Sequence, residues 1–205
     1  MIMMSDENIG AAAVRTATPG DLDGIADVLA DAFADYAYTR WVIPADDHER
    51  RLRALQLYFA ERVALPYGSG WVAGEGVPEA VSLWTRPDSE VPAELFTAPE
   101  VLELYGDRVA RGMAFEEAMG PHRPAGPCWF LASIGVRRDR RGAGLGAAVL
   151  LPGLEAADRD GHDVYLETSD ERNVRFYRRF GFAVTAETDL PDGGPRSWGM
   201  LRRAG

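Results

Sequence analysis

Val136-Arg137-Arg138-Asp139-Arg140-Arg141-Gly142-Ala143-Gly144-Leu145-Gly146-Ala147 is the stretch whose reading decides the fold. Before it runs an apolar segment, Trp129 to Val136, with the character of a buried strand. After it, Leu145 to about Arg159 has helical character, interrupted by Pro152-Gly153, which should bend or weaken the helix. Glycines between a strand and a helix let backbone N–H groups approach phosphate oxygens with no Cβ in the way. The helix start adds unpaired donors and a favourable dipole. Residues 141 to 147 therefore read as a diphosphate site, set in a locally basic run within an acidic chain. The alternative is a glycine-rich connector beside solvated charges.

Two better-known phosphate turns can be weighed against it. A Walker loop ends in Gly-Lys-Ser/Thr, and here Gly146-Ala147-Ala148 stands instead. A dinucleotide fingerprint is partly matched by Gly142, Gly144 and Ala147, with Glu167 about 20 residues beyond, where a ribose-binding acid belongs. However, five residues separate Val136 from Gly142, and only 59 remain after Gly146, too few for the rest of a doubly wound domain.

Further elements follow outward from the turn. Val164 to Ser169 reads as a strand, Asp170 to Phe180 as a helix stopped by Gly181, and strands are expected near Phe182 to Glu187 and Ser197 to Arg202. Upstream, Val14 to Ala17 suggests a first strand. Thr18-Pro19-Gly20-Asp21 is a helix start, and 46 to 65 is a second amphipathic helix. Gly70 to Ala73 and Ala80 to Thr85 read as a hairpin, and 93 to about 119 returns to helical character. The fold class is mixed α/β with a central sheet flanked by helices. Residues 1–12 are expected to be a disordered tail and 13–205 a single domain.

Composition narrows the function. A net charge of −10 over 205 residues argues against nucleic acid as the partner. All 22 basic residues are Arg, so any cationic contact to phosphate must be a guanidinium. One cysteine, Cys128, excludes an internal disulfide framework and reads as a buried, inert thiol. His48, His122 and His162 show no metal-ligand spacing, so no metal is expected. The start of the chain lacks the pattern of a signal peptide, and no apolar stretch is long enough to span a membrane, which places the protein in the cytoplasm as the default.

Val136 followed by Arg141-x-x-Gly144-x-Gly146 resembles the acetyl-CoA signature of the GNAT acetyltransferase superfamily. Leu166-Glu167-Thr168-Ser169, Asn173, Phe176-Tyr177 and Phe180-Gly181-Phe182 are similar to its second motif. Ala32-Phe33-Ala34-Asp35-Tyr36, Pro121-His122-Arg123-Pro124, Trp129-Phe130-Leu131-Ala132 and Pro195-Arg196-Ser197-Trp198 resemble the puromycin N-acetyltransferase branch, with the weakest likeness between about 39 and 120. The resemblance implies a sheet of six to seven strands with a splayed central pair, acetyl-CoA as acyl donor, and a small-molecule amine as acceptor, such as an aminonucleoside antibiotic. Acetylation of a peptide N-terminus and CoA sensing without turnover are the competing readings. A monomer or homodimer fits each.

The resemblance also implies site residues. Ile134, Gly135 and Val136 would offer backbone groups to pantetheine, and Arg141, Gly142, Ala143, Gly144, Leu145, Gly146 and Ala147 would hold the diphosphate. Asn173 would bond the pantetheine arm beside Phe176, and Tyr177 would protonate the leaving sulfur. Asn173 and Tyr177 are four apart and share a helix face, although Tyr177 could simply pack that helix on the sheet. Gly135 inside a strand signals a bulge or a close backbone approach, or plain packing. Glu167 is the candidate base, directly or through water, or else a paired carboxylate. Tyr36, Trp41 and Trp84 are candidate acceptor walls, or core.

Overall fold

The computed structural model describes residues 13–205, so the tail expected over 1–12 lies outside the described residues. Seven strands form: β1 Val14–Thr16, β2 Gly68–Ala73, β3 Ala80–Thr85, β4 Trp129–Val136, β5 Val164–Thr168, β6 Ala183–Asp189 and β7 Arg196–Arg202. They make one sheet in the order β1-β2-β3-β4-β5-β7-β6. The pairings are antiparallel except β4 with β5.

That parallel pair is short, with Trp129, Phe130 and Leu131 opposite Val164, Tyr165 and Leu166. Beyond it, β4 stays with β3 as far as Val136 opposite Ala80, whereas β5 stays with β7 as far as Thr168 opposite Trp198. The two central strands therefore part after Leu131 and Leu166. The register shows why. Leu83 pairs with Ser133 but its neighbour Trp84 pairs with Leu131, leaving Ala132 as an extra residue on β4. Such a bulge bends its strand and raises its twist.

The bulge is thus at Ala132 and not at Gly135, which pairs regularly with Val81. Gly135 is instead the site of close approach. A Cβ there would lie 2.9 Å from Leu29 Cδ2 and 3.0 Å from Ala32 Cβ. Helix α1, Leu22–Phe33, can cross β4 closely because that side chain is missing.

Helices cover both faces. On one lies α1, whose Ile25, Val28 and Leu29 pack on Val72, Val81 and Leu83 together with Ala60 and Ala64. The latter two belong to a π-type turn, Ala60–Ala64, that continues α3, His48–Phe59, into the short α4, Leu65–Tyr67. The other face carries α7, Leu145–Asp160, and α8, Glu171–Arg178. Their Leu150, Leu154, Val174 and Tyr177 meet Leu131, Leu166 and Met200 of the sheet. Each large apolar side chain buried fully there contributes about 1.5–3 kcal/mol. The remaining helices, α2 Ala37–Val42, α5 Pro99–Tyr105 and α6 Val109–Met119, gather with α3 around Trp41, Ile43, Leu52 and Val101. Among the described residues no helix is long and apolar enough to cross a membrane.

Pro152 does not break α7. A Cβ on Gly153 would fall 2.3 Å from the Trp84 ring, so the helix seats on that indole only because residue 153 is glycine. Trp84 Nε1 donates to Ser82 Oγ at 3.0 Å, and Ser82 Oγ donates to the Val149 carbonyl at 2.6 Å, one residue from the acceptor that Pro152 leaves without its helical donor.

Candidate active site

The glycine turn connects β4 to α7. Gly142 and Gly144 hold φ of 84° and 79°, a left-handed conformation in which glycine avoids the strain of a Cβ. Gly144 is the N-cap and carries no side chain to satisfy the first helical donors, so the N–H groups at the start of α7 are left for a ligand. The arginines before the turn are largely engaged within the chain: Arg137 with Asp139, Arg138 with Asp31 and Asp35, and Arg140 with Glu79. Arg141 forms no carboxylate pair among the described residues and donates only to the Ala32 carbonyl, at 3.1 Å. Open donors, permitted positive φ and one guanidinium without a carboxylate suit a diphosphate.

The parting of β4 from β5 opens a continuous cleft of about 1280 Å3. At one end Ile134, Gly135, Val136, Arg141 and Gly146 line it. Asn173, Phe176 and Tyr177 line it from α8. Asp170 caps α8 by accepting from the Arg172 N–H at 2.8 Å, which fixes the helix start from which Asn173 and Tyr177 project. Tyr177 is 5% exposed and sits edge-on to Phe176. Its hydroxyl makes no hydrogen bond among the described residues, and burial pushes its pKa above the ordinary tyrosine value. It therefore holds its proton throughout the physiological range.

At the other end the walls are aromatic, among them Tyr38, Phe59, Phe115 and Phe130. The Tyr38 and Phe115 rings meet at a tilt with centroids 4.7 Å apart, and burial pushes Tyr105 up to about 12. Glu167 faces the cleft but is not free. Arg123 Nε and Nη2 donate to its two oxygens at 2.8 and 2.9 Å, and the same guanidinium donates to both oxygens of Glu116 at 2.6 and 3.1 Å. Tyr165 donates to Glu167 as well, at 3.3 Å.

Tyr36 stands where α1 gives way to α2. Its hydroxyl accepts the Ser169 N–H and lies 3.1 Å from Thr168 Oγ1, which also accepts from Asn173 Nδ2 at 3.1 Å. Neither Thr168 nor Arg123 draws a role from the sequence reading. Their partners lie 132 and 44 residues away, and only the fold supplies them.

Two sequence candidates lie elsewhere, and their reading as walls is corrected. Trp84 is fully buried between Trp71 and Trp129, against α7. Trp41 is 6% exposed in the α2–α3 cluster, with Arg111 over its ring, and neither indole lines the cleft. A hydrophobic ring satisfies a core position and a binding wall equally well on paper. Leu145 likewise turns its side chain into the core beside Ala73 and Ala80, leaving only its backbone to the turn. Cys128 is half-buried, and burial raises its thiol pKa, with Asp163 adding to the effect.

The chain belongs to the Acetyltransferase (GNAT) family, whose model matches residues 78–182. A solved structure described as histone acetyltransferase HPA2 and related acetyltransferase, from Corynebacterium glutamicum, is 28% identical. It aligns over 95% of this chain and 97% of its own, with a TM-score of 0.75. The polyamine N-acetyltransferase of Drosophila melanogaster, at 18% identity, shares the fold over 93% of this chain and 99% of its own with a TM-score of 0.63. The ribosomal-protein-S18-alanine N-acetyltransferase of Escherichia coli, at 16% identity, does so over 93% and 92% with a TM-score of 0.55. Among curated proteins, a probable serine/threonine-protein kinase of Dictyostelium discoideum is 24% identical over 193 residues, covering 83% of this chain. This chain spans only 20% of that protein's length.

Proposed function

We propose that the chain transfers acetyl from acetyl-CoA to the primary amine of a small molecule, with an aminonucleoside of the puromycin type as the first acceptor to test. The observation that carries this reading is the continuity of one cleft from the glycine turn, past Tyr177, to the aromatic end beside Glu167. Acetyl-CoA would supply the activated acetyl group. The start of α7 and Arg141 would hold its diphosphate, the parted edge of β4 from Ile134 to Val136 would receive the pantetheine arm, and Asn173 would fix that arm. Tyr177 Oη, kept protonated by burial, is the proton source for the sulfur that leaves.

Proton removal from the amine falls to water in this reading, because both Glu167 oxygens are already held by Arg123. An α-amine with a pKa of about 8 has a substantial neutral fraction near neutrality and needs no strong base. Glu116, Glu167 and Arg123 together carry one net negative charge, enough to favour a single ammonium. The other carboxylates of the cleft are paired as well: Asp35 with Arg40 and Arg138, Asp170 with Arg172, Glu171 with Arg175. A polycation would therefore find no further unpaired carboxylate among the residues that line the cleft.

The test is acetyl-CoA consumption against a panel containing puromycin, aminoacyl amides, agmatine and spermidine. Turnover is expected with aromatic α-amines, at kcat/KM values at least about tenfold above those of the polyamines, a difference of one ammonium contact. CoA binding without turnover of any amine would sink the enzymatic reading, and a preference for spermidine would sink the acceptor class.

A further inference from the structure

Thr168 is buried at 4% exposure at the end of β5, and its hydroxyl ties α8 to Tyr36, apart from the ties that Arg138 and Arg141 make to Asp35 and Ala32. Val164 and Leu166 place its face of the strand toward α7 and α8, where Asn173 donates to it. Tyr36 arrives from the opposite layer, at the end of α1, through the gap that β4 leaves when it departs from β5. The phenol is held twice on β5 and just beyond its end, by Thr168 Oγ1 and by the Ser169 N–H.

The hydrogen-bonding valences make this a coupling and not only an anchor. An asparagine amide has two N–H donors and a carbonyl oxygen. Asn173 can keep Thr168 with one N–H while its other N–H and Oδ1 serve a ligand. A ligand bonded there fixes the amide, the amide fixes Thr168 Oγ1, and Thr168 fixes Tyr36 Oη. Tyr36 in turn begins α2, whose Tyr38 meets Phe115 at the acceptor end.

We propose that Thr168 is a positioning residue that couples engagement of the CoA arm at Asn173 to ordering of the acceptor wall from Phe33 to Val42. The proposal rests on the acetyl-CoA reading above. Coupling of this kind is reciprocal, so an ordered acceptor wall also favours the cofactor.

Hydrogen exchange followed by mass spectrometry, with coenzyme A as the probe, tests it without any acceptor. In the wild type and in Thr168→Ser, CoA slows exchange both in α8 and over residues 33–42. In Thr168→Val the protection of α8 remains and that of 33–42 is lost. Tyr36→Phe breaks the same tie from its other end and serves if the valine variant does not fold. It gives the same loss, and where both variants fold the double variant loses nothing more. With the best amine of the panel, Thr168→Val lowers acceptor kcat/KM about tenfold, within the usual range of coupling energies, while the affinity for CoA titrated without amine moves less than about threefold. Thr168→Ser recovers most of the loss. Protection of 33–42 that persists in both Thr168→Val and Tyr36→Phe, or that never appears in the wild type, overturns the coupling. Absence of any CoA-dependent protection, in α8 included, overturns the acetyl-CoA reading itself.

Discussion

Tyr177 and Glu167 face one cleft, yet their surroundings give them opposite chemical prospects. Tyr177 is buried among Phe176, Phe182 and Val174 with its hydroxyl unpartnered among the described residues, so it keeps its proton and has no competing acceptor. Tyr177→Phe should lower kcat by about 10²–10⁴-fold, the range of general acid catalysis, with acetyl-CoA affinity nearly unchanged. Steady-state kinetics beside calorimetric titration with CoA measure both, and an unchanged kcat would reduce Tyr177 to a packing residue. Glu167, forked by Arg123, is spoken for. Glu167→Gln should cost kcat less than about tenfold, below the lower limit of general base catalysis. A loss of a hundredfold or more would restore it as the base. That Asn173 and Tyr177 share a helix face was legible in the sequence from their spacing of four, and both line the cleft. Thr168 was not legible, since nothing local announces that a hydroxyl will meet a phenol 132 residues away. For Trp84 and Trp41 the sequence left wall and core both open, as ring size predicts burial but not whether core or ligand supplies the cover, and the structure buries both in the core.

Elements were read well where a repeating pattern defined them and poorly where a single residue did. β4 falls on Trp129–Val136 as its apolar run predicts, and α7 begins at Leu145 behind its two left-handed glycines. The splay of β4 from β5, however, depends on Ala132, a residue with no turn or breaker character, and the glycine that drew attention three positions later serves α1 instead. The continuity of α7 past Pro152 has the same local origin. Helix propensity alone says that Gly153→Ala should stabilise by about 1 kcal/mol. The contact with Trp84 says the reverse. A methyl 2.3 Å from a buried indole must push α7 off β3, an overpacking cost of about 1–3 kcal/mol. The net expectation is a loss of up to about 2 kcal/mol in urea unfolding, larger than the same substitution gives at Gly126, where an added Cβ meets nothing within 4 Å. A stabilised Gly153→Ala would show that α7 can slide and that its seat on Trp84 is loose.

Over the whole molecule, the family match from 78 to 182 spans the glycine turn and α8 but stops short of Tyr36 and Phe59, so part of the cleft lining lies outside it. The glycine turn was legible for that reason, and the aromatic end of the cleft was not. Electrostatics is the property that spans all these regions. Asp21 is 6% exposed and takes two bonds from Arg15, at 2.7 and 2.5 Å, and two more from the Thr18 N–H and hydroxyl. The Arg15 guanidinium holds its carboxyl well below the ordinary range, against the opposing effect of burial. Asp158 beside Arg202 and Asp163 beside the Ala204 N–H are lowered too. Carboxyls depressed in the folded state give stability that is present above their unfolded pKa of about 3.9 and lost as pH falls toward their folded values. At the other limit burial raises Tyr36, Tyr165 and Tyr177, whose contribution is complete below the unfolded tyrosine pKa of about 10 and is lost above it. The stability profile should therefore be flat from about pH 5 to 9 and fall on both sides, by about 1.4 kcal/mol per pH unit for each proton of difference between the folded and unfolded chains. Asp21→Asn isolates the acid limb. Charged hydrogen bonds of this kind are worth about 1.5–3 kcal/mol, so the variant should be less stable than wild type by about that much at pH 7, and the gap should be narrower at about pH 3, closing fully only below the carboxyl's depressed folded value. Urea titrations at the two pH values measure it, and a gap that stays constant with pH would mean that Asp21 stabilises the start of α1 by shape and not by charge.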